Sequence, residues 1–141
     1  MLRVSVLCQG RLKEPYYIEA CKEYLKRLTA YCKAEVIELA EDGNIEARLP
    51  KGAYVMALCI EGQKLSSPAL ADHLDRLTVS GVSHICFLIG GSQGLSPSVK
   101  QRADYRLSMS DMTFPHHLAR VMVLEQLYRA FSINAGAKYH K

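Results

Sequence analysis

The sequence has no apolar run long enough to cross a bilayer, and its first ten residues, MLRVSVLCQG, do not have the basic start and apolar stretch of a signal peptide. We therefore expect no membrane partner. Tryptophan is absent, and the five cysteines form neither a C-x-x-C pair nor a cysteine–histidine ligand cluster. The odd cysteine number favours a reducing, cytoplasmic location, and the sequence predicts no metal site. Cys59 and Cys86 lie in apolar predicted strands, so we expect them to be small core residues.

The excess of positive charge is small. Lysine and arginine number 18 against 14 acidic residues, for a net charge of +4. This balance permits an anionic partner but does not require one. The 141 residues are 49% hydrophobic, and no linker rich in proline, glycine or serine divides them. We therefore expect a single domain over residues 1–141.

Apolar, β-branched segments alternate with amphipathic ones along the chain. The pattern predicts strands at residues 2–8, 34–39, 53–60, 84–89 and 105–110. Helices are predicted at residues 15–28, 67–80, 97–103 and 116–133, and Ser67 and Ser96, each followed by proline, are predicted N-caps. Residues 41–52 are polar and predict a loop with one helical turn. The alternation indicates an α/β fold with a largely parallel sheet.

The last predicted helix has a wider apolar stripe than packing on one sheet face requires. Such a helix is either deeply buried or packs on a second copy of itself. Because deep burial on all sides is difficult in so small a domain, the stripe favours a homodimer. Its residues are Leu118, Val121, Met122, Val123, Leu124, Leu127, Tyr128, Phe131 and Ile133. We expect Leu124 and Leu127 to lie at the dimer interface.

A glycine-rich stretch, IGGSQGLS, follows the fourth predicted strand, where parallel sheets bind ligands. A tight turn without a ligand is an equal alternative. No Gly-Lys-Ser/Thr follows, which excludes a P-loop. The order G-G-x-x-G also differs from the dinucleotide fingerprint, although Asp111 lies about twenty residues on, as a ribose-binding acid would. Because the stretch has no lysine or arginine, an adenosyl ligand without phosphates fits it best.

Two further segments carry candidate chemistry. SMSDMTFPHH leaves the fifth strand and offers thioether, aromatic and hydroxyl groups. His116 and His117 are poor joint metal ligands because adjacent helical residues face different ways; a catalytic, RNA-facing or surface role remains open for each. The terminal YHK follows a helix stop at Gly136. It is either a frayed end or a group that stacks on a base, exchanges a proton and contacts phosphate.

Together, FLIGGSQGLSP, LSMSDMTFPHHLARVMVLEQLYRAFSI and the terminal YHK resemble the RlmH family of ribosomal RNA methyltransferases in the SPOUT superfamily. The resemblance implies a parallel-sheet α/β-knot fold with a C-terminal trefoil knot, and a homodimer with its cofactor pocket at the subunit interface. It implies methylation of N3 of a pseudouridine in a stem-loop of 23S ribosomal RNA with S-adenosyl-L-methionine. We expect the substrate to be this RNA within the assembled ribosome, and free RNA stays open as an alternative. The family has a longer helical segment where this chain has residues 41–52, so the resemblance does not predict the outer layer there.

The resemblance also implies roles for individual residues. The cofactor-contacting positions are Leu58, Gly90, Gly91, Met109, Ser110, Asp111, Met112, Thr113 and Phe114. Positions linked to the RNA and its reaction are Arg129, Tyr139 and His140, with His140 our candidate proton acceptor and His116 the second choice. Arg11, Lys13, His116 and Lys141 are our candidates for RNA contact. The alternatives are a cofactor-free RNA-binding ribosome-assembly protein on the same fold and a nicotinamide enzyme.

Overall fold

In a computed structural model, which describes residues 1–140, five strands form one sheet. They are β1 (Arg3–Gln9), β2 (Lys33–Leu39), β3 (Tyr54–Lys64), β4 (His84–Ile89) and β5 (Tyr105–Ser108). Their order across the sheet is β2-β1-β4-β3-β5, and every neighbouring pair is parallel. The predicted parallel α/β fold is therefore confirmed.

Two strand ends differ from the prediction by more than one residue. β3 continues to Lys64 rather than residue 60, because it pairs with β5 at Met56–Leu58 and again at Gln63–Lys64, with an irregular stretch between. β5 stops at Ser108 instead of residue 110. The next residues enter a loop whose turn is held by Ser110, whose hydroxyl accepts the Met112 N–H at 3.0 Å.

The described residues also form four α-helices and one 3₁₀ turn, Glu46–Arg48. The helices are α1 (Pro15–Leu28), α2 (Ser67–Val79), α3 (Pro97–Arg102) and α4 (His116–Asn134). The N-cap of α2 is Ser66 and not the predicted Ser67, because the Ser66 hydroxyl is the one that accepts the Ala69 N–H, at 3.1 Å. Ser96 caps α3 as predicted.

Helices cover the two faces of the sheet unequally. On one face, α4 packs between α1 and α2, and its Leu124 and Leu127 join Phe87 of β4 in the larger core. On the other face, α3 and the 3₁₀ turn cover a smaller core of Leu7, Leu39, Ile45, Val55, Ala57, Cys86, Leu88, Leu95 and Val99. The short segment 41–52 is therefore a thin outer layer, anchored by buried Ile45.

The wide apolar stripe of α4 divides between two environments. Leu124 and Leu127 are 0% and 1% exposed, so they belong to the core of the chain itself and cannot form a dimer interface. Leu118, Val121 and Met122, which we call the outward face of α4, are only partly buried. No helix in residues 1–140 has the length and hydropathy needed to span a membrane.

A buried ion pair fixes α4 to the loop after β1. The Arg120 side chain is 1% exposed and pairs with Glu38 of β2. Its Nη2 also donates to the Gly10 carbonyl at 3.0 Å, and Glu38 accepts the Leu12 N–H at 2.9 Å. These contacts place the first residues of α4 against the carboxyl edge of the sheet.

Candidate active site

A cavity of about 700 Å³ lies at the carboxyl ends of β3 and β4, a size typical of small-molecule sites. The two loops predicted to bind a ligand form its opposite walls. It is lined by residues 58–61 of β3, Ile89, the loop after β4, Lys100, the loop after β5, His116 and Ala119. The topology brings these segments together because β3 is the neighbour of both β4 and β5.

The glycine loop folds back on itself directly after β4. Gly94 has a φ of +72°, and its N–H donates to the Gly91 carbonyl at 2.9 Å. A Cβ on Gly90 would lie 2.5 Å from the Gly94 carbonyl carbon and 2.7 Å from the Leu95 nitrogen. The turn therefore excludes a side chain at Gly90, and it presents backbone to the cavity.

Glu41, which the sequence analysis did not identify, supports this loop from behind. Its Oε1 accepts the Ser92 N–H at 2.8 Å and the Ser92 hydroxyl at 3.1 Å, and these hydrogen bonds lower the pKa of the carboxyl group. The carboxylate also fills the space that a Cβ on Gly91 would need. Glu41 lies 51 positions before Ser92 (92 minus 41), so no local pattern pointed to it.

The loop after β5 contributes the other wall through Met109, Ser110, Met112, Thr113 and Phe114. Asp111 is the exception among the residues named for this loop. It does not line the cavity, because its carboxylate accepts two hydrogen bonds from Lys64 Nζ, at 2.7 and 2.8 Å. This pair joins the loop to the end of β3.

The polar end of the cavity holds one ion pair that sequence reasoning missed. Lys100 Nζ on α3 lies 2.7 Å from Glu61 Oε1 on β3, and both residues line the cavity. Lys100 lowers the pKa of Glu61. Cys59 also lines the cavity and is only partly buried, so its predicted core position is wrong. Cys86 is buried as predicted, and Cys8, Cys21 and Cys32 are buried as well.

The C-terminal residues pack against α4 and are not frayed up to His140. The Tyr139 hydroxyl donates to Glu125 Oε2 at 2.8 Å, which raises the pKa of Tyr139 to about 12. The Arg129 guanidinium lies over the Tyr139 ring, 4.8 Å from its centroid, and Arg129 Nε donates to Glu125 Oε1 at 3.0 Å. We call Glu125, Arg129, Tyr139 and His140 the tail cluster.

The contact between Arg129 and His140 fixes the form of the imidazole. Arg129 Nη1 lies 3.1 Å from His140 Nδ1. Because a guanidinium has only donors, Nδ1 is the acceptor, so the ring is neutral and carries its proton on Nε2. His140 thus presents a donor to its surroundings in this arrangement.

The tail cluster lies far from the cavity within one chain. Arg129 follows His116, which lines the cavity, by 13 positions (129 minus 116) on one helix, or about 20 Å. Of the candidate RNA contacts, His116 is at the cavity, while Arg11 and Lys13 are exposed on the loop after β1. Lys141 lies outside the described residues.

Potential metal ligands do not cluster in the part of the chain that the structure describes. Within residues 1–140, no three histidine, cysteine, aspartate or glutamate side chains come together as a metal site would require. The nearest candidate pair, His116 and His117, has ring centroids 4.2 Å apart in an edge-on arrangement. His117 Nδ1 lies 3.6 Å from the Glu14 carboxylate, whereas His116 lines the cavity.

The comparisons with known proteins agree with this fold. Residues 2–140 match the family model described as predicted SPOUT methyltransferase. The chain belongs to the SPOUT methyltransferase family. Proteins named ribosomal RNA large subunit methyltransferase H from Bifidobacterium adolescentis, Clostridioides difficile and Bacillus pumilus are each 43% identical to it over 159 residues, which cover 99% of this chain and 100% of each relative.

Two solved structures share the fold at low sequence identity. A probable methylase family protein from Haemophilus influenzae has a TM-score of 0.61 and 13% identity, over 99% of this chain and 70% of that one. The SpoU methyltransferase AviRb from Streptomyces viridochromogenes, solved in complex with AdoMet, has a TM-score of 0.52 and 16% identity, over 95% and 58%.

Proposed function

We propose that this protein methylates N3 of a pseudouridine in 23S ribosomal RNA with S-adenosylmethionine, acting on the assembled ribosome. The names of the relatives support a large-subunit ribosomal RNA substrate. The AdoMet complex of AviRb supports the cofactor. The pseudouridine, its N3 atom and the trefoil knot come from the motif resemblance and stay predictions. The assembled ribosome as the substrate and the cytoplasmic location also stay predictions.

The chemistry of the cavity is the observation that carries the proposal. Leu58, Ile89, Leu95, Met109 and Phe114 supply apolar walls for an adenine ring. The backbone of the glycine loop can bond the edges of the adenosine, and the lysine at the wall is already paired with a carboxylate. A phosphate-bearing nucleotide would instead need free positive charge or a phosphate-binding turn. The residues therefore fit an adenosyl group without phosphates.

Within this proposal the protein mainly aligns the reacting atoms. The bound cofactor supplies a sulfonium methyl group that is already electrophilic. Leu58, the backbone at Gly90 and Gly91, and the loop from Met109 to Phe114 would hold the cofactor in one orientation. Fixed alignment of nucleophile and methyl group supplies a large part of the rate of such a transfer.

The tail cluster suits the second requirement, loss of the N3 proton from the base. Arg129 and the Nε2–H of His140 can both donate to a base carbonyl and stabilise the anion that forms at N3. The only lone pair of His140 already accepts from Arg129. We therefore propose that the N3 proton passes to solvent water while His140 donates a hydrogen bond to the anion that forms. His140 would itself accept the proton only if its bond to Arg129 opens. Tyr139 is held by Glu125 and serves as a stacking surface.

A homodimer would bring the two halves of this site together. The tail cluster and the cavity are about 20 Å apart on one α4, so one chain cannot place both at the same reacting atom. Met122 lies midway between His116 and Arg129 on the outward face. Two antiparallel α4 helices crossing near Met122 on a twofold axis would set the tail cluster of the partner subunit beside the cavity.

The test separates the enzyme from the cofactor-free assembly protein. In calorimetry, S-adenosylhomocysteine should bind and NAD should not. Labelled S-adenosylmethionine and purified protein should then label the large-subunit RNA of ribosomes from cells that lack the gene. The assembly protein would be favoured if the protein binds neither S-adenosylhomocysteine nor NAD, leaves the RNA unlabelled, and still associates stably with the large subunit.

A further inference from the structure

Glu61 and Lys100 form an ion pair at the wall of the cavity, outside both ligand-binding loops. Glu61 comes from the irregular stretch of β3, and Lys100 from α3 on the thinner side of the sheet. The Lys100 side chain is 26% exposed, and that of Glu61 51%. The pair is therefore accessible from the cavity while one partner is largely screened from solvent.

Among the ion pairs of residues 1–140, this is the one whose two partners both line the cavity. Glu23–Arg27 and Asp72–Arg76 join neighbouring turns of one helix on an exposed face, as surface pairs commonly do. Glu61 and Lys100 instead join β3 to α3 and border a cavity whose other side chains are apolar or hydroxylic, apart from His116 and Cys59. An ammonium has three donors and a carboxylate about four acceptor sites, so each partner has bonding capacity left.

We propose that Glu61 and Lys100 bind the amino-acid end of the cofactor, with Glu61 accepting from its ammonium group and Lys100 donating to its carboxylate. This inference rests on the proposed function. The amino-acid end carries one positive and one negative charge, and burial of either without a partner is costly. A neutral pair of opposite charges complements this zwitterion, whereas a lone lysine would complement a phosphate. The adenosine end would then lie against the glycine loop.

The test compares ligands with and without the amino-acid end. In calorimetry, Lys100→Met and Glu61→Gln should each lower the affinity for S-adenosylhomocysteine about tenfold or more, because each removes a charge-assisted hydrogen bond. Both should bind 5′-methylthioadenosine, which lacks the amino-acid end, as the wild type does. The matched control is Arg76→Met, which removes an ion pair on the exposed face of α2 and should change neither affinity.

Decarboxylated S-adenosylmethionine separates the two roles. Lys100→Met should bind it with wild-type affinity, whereas Glu61→Gln should bind it more weakly; the opposite pattern would overturn the assignment. If a variant loses affinity equally for S-adenosylhomocysteine and 5′-methylthioadenosine, the pair only supports the shape of the cavity. That result would also overturn the assignment. A wild-type protein that binds neither ligand would contradict the proposed function itself, so the two failures are distinguishable.

Discussion

Gly90 and Gly91 are neighbours in the chain, but a side chain would meet different obstacles at each. At Gly90 a Cβ meets the backbone of Gly94 and Leu95, which cannot move without opening the turn. At Gly91 it meets the end of the Glu41 side chain, which can rotate away. Neither residue has a positive φ, so the requirement for glycine here is a matter of space and not of backbone conformation.

Gly90→Ala should therefore lower the affinity for S-adenosylhomocysteine at least about tenfold, because the loop must open to make room for one methyl group. Gly91→Ala should cost less, since only the Glu41 carboxylate has to leave Ser92. Calorimetry on both purified variants checks the order. Equal affinities, or a larger loss at Gly91, would refute this account of the loop.

His84 lies in a polar network at the opposite end of the sheet. The Ser5 hydroxyl donates to Glu35 Oε1 at 2.9 Å, so its contact with His84 Nε2, also at 2.9 Å, must be one in which the imidazole N–H donates. Burial lowers the pKa of His84, and the nearby Arg3 guanidinium lowers it further, against the opposing effect of Glu35. The folded protein thus favours the neutral ring.

This shift predicts a pH dependence of stability. As the pH falls below about 6.5, the unfolded chain takes up the His84 proton more readily than the folded one. The free energy of unfolding should therefore fall between pH 7.5 and 5.5, and fall less in His84→Gln, whose amide can keep the donor to Ser5. Urea unfolding at both pH values measures the difference. Burial also lowers the pKa values of His73 and His116, so the free energy of unfolding of the variant should still fall with the pH, by a smaller amount. An equal fall in the free energy of unfolding in the wild type and in His84→Gln would contradict the prediction.

Among the elements, α4 connects the cavity, the core and the tail cluster. Its inward side completes the core, and its outward face leaves Leu118, Val121 and Met122 partly exposed. Apolar residues lie on both sides of α4, so their spacing does not show which side faces the core. This is why the sequence predicted a two-sided helix but misassigned Leu124 and Leu127, which only the packing of α1 and α2 places in the core.

Met122→Glu should turn the proposed dimer into a folded monomer. A charge in a dry interface costs several kcal/mol, which weakens association at least about a hundredfold. Sedimentation at micromolar concentration measures the state, with Val79→Glu as the control, since Val79 is 81% exposed on α2. A monomeric wild type, or a Met122→Glu variant that stays dimeric, would show that the outward face is not the interface.

The other elements show where sequence patterns suffice. The bounds of α1 and β4 match the prediction because local periodicity and flanking breakers define them. The extension of β3 depends on a second pairing with β5, which no local pattern encodes. The same distinction holds for the residues around the site. Local motifs were enough to predict the two loops that line the cavity, but Glu41, Lys100 and Arg120 act through partners that are distant in the sequence.

For the whole molecule, the central question is whether one chain or two build the site. The cavity lies at the start of α4, and the tail cluster surrounds its second half. Suppose that the partner subunit completes the site, and that one chain has a defective cavity while the other has a defective tail cluster. The mixed dimer then keeps one intact site, which combines the cavity of the second chain with the tail cluster of the first.

Co-expression of Gly90→Val and Arg129→Ala chains under two tags tests this arrangement. Random pairing makes half of the dimers mixed, each with one intact site, so about one quarter of wild-type methyl transfer should return. Either variant alone should be inactive. Mixed dimers without activity would place the whole site within one chain.

The most direct test of the account is the chemical identity of the product. Ribosomes from cells lacking the gene should be incubated with S-adenosylmethionine and the protein, and the digested 23S RNA analysed by mass spectrometry. The account predicts one added methyl group, on N3 of a pseudouridine, present with the wild type and absent with Gly90→Val. A methyl group on a ribose, on another base or on a ribosomal protein would contradict it.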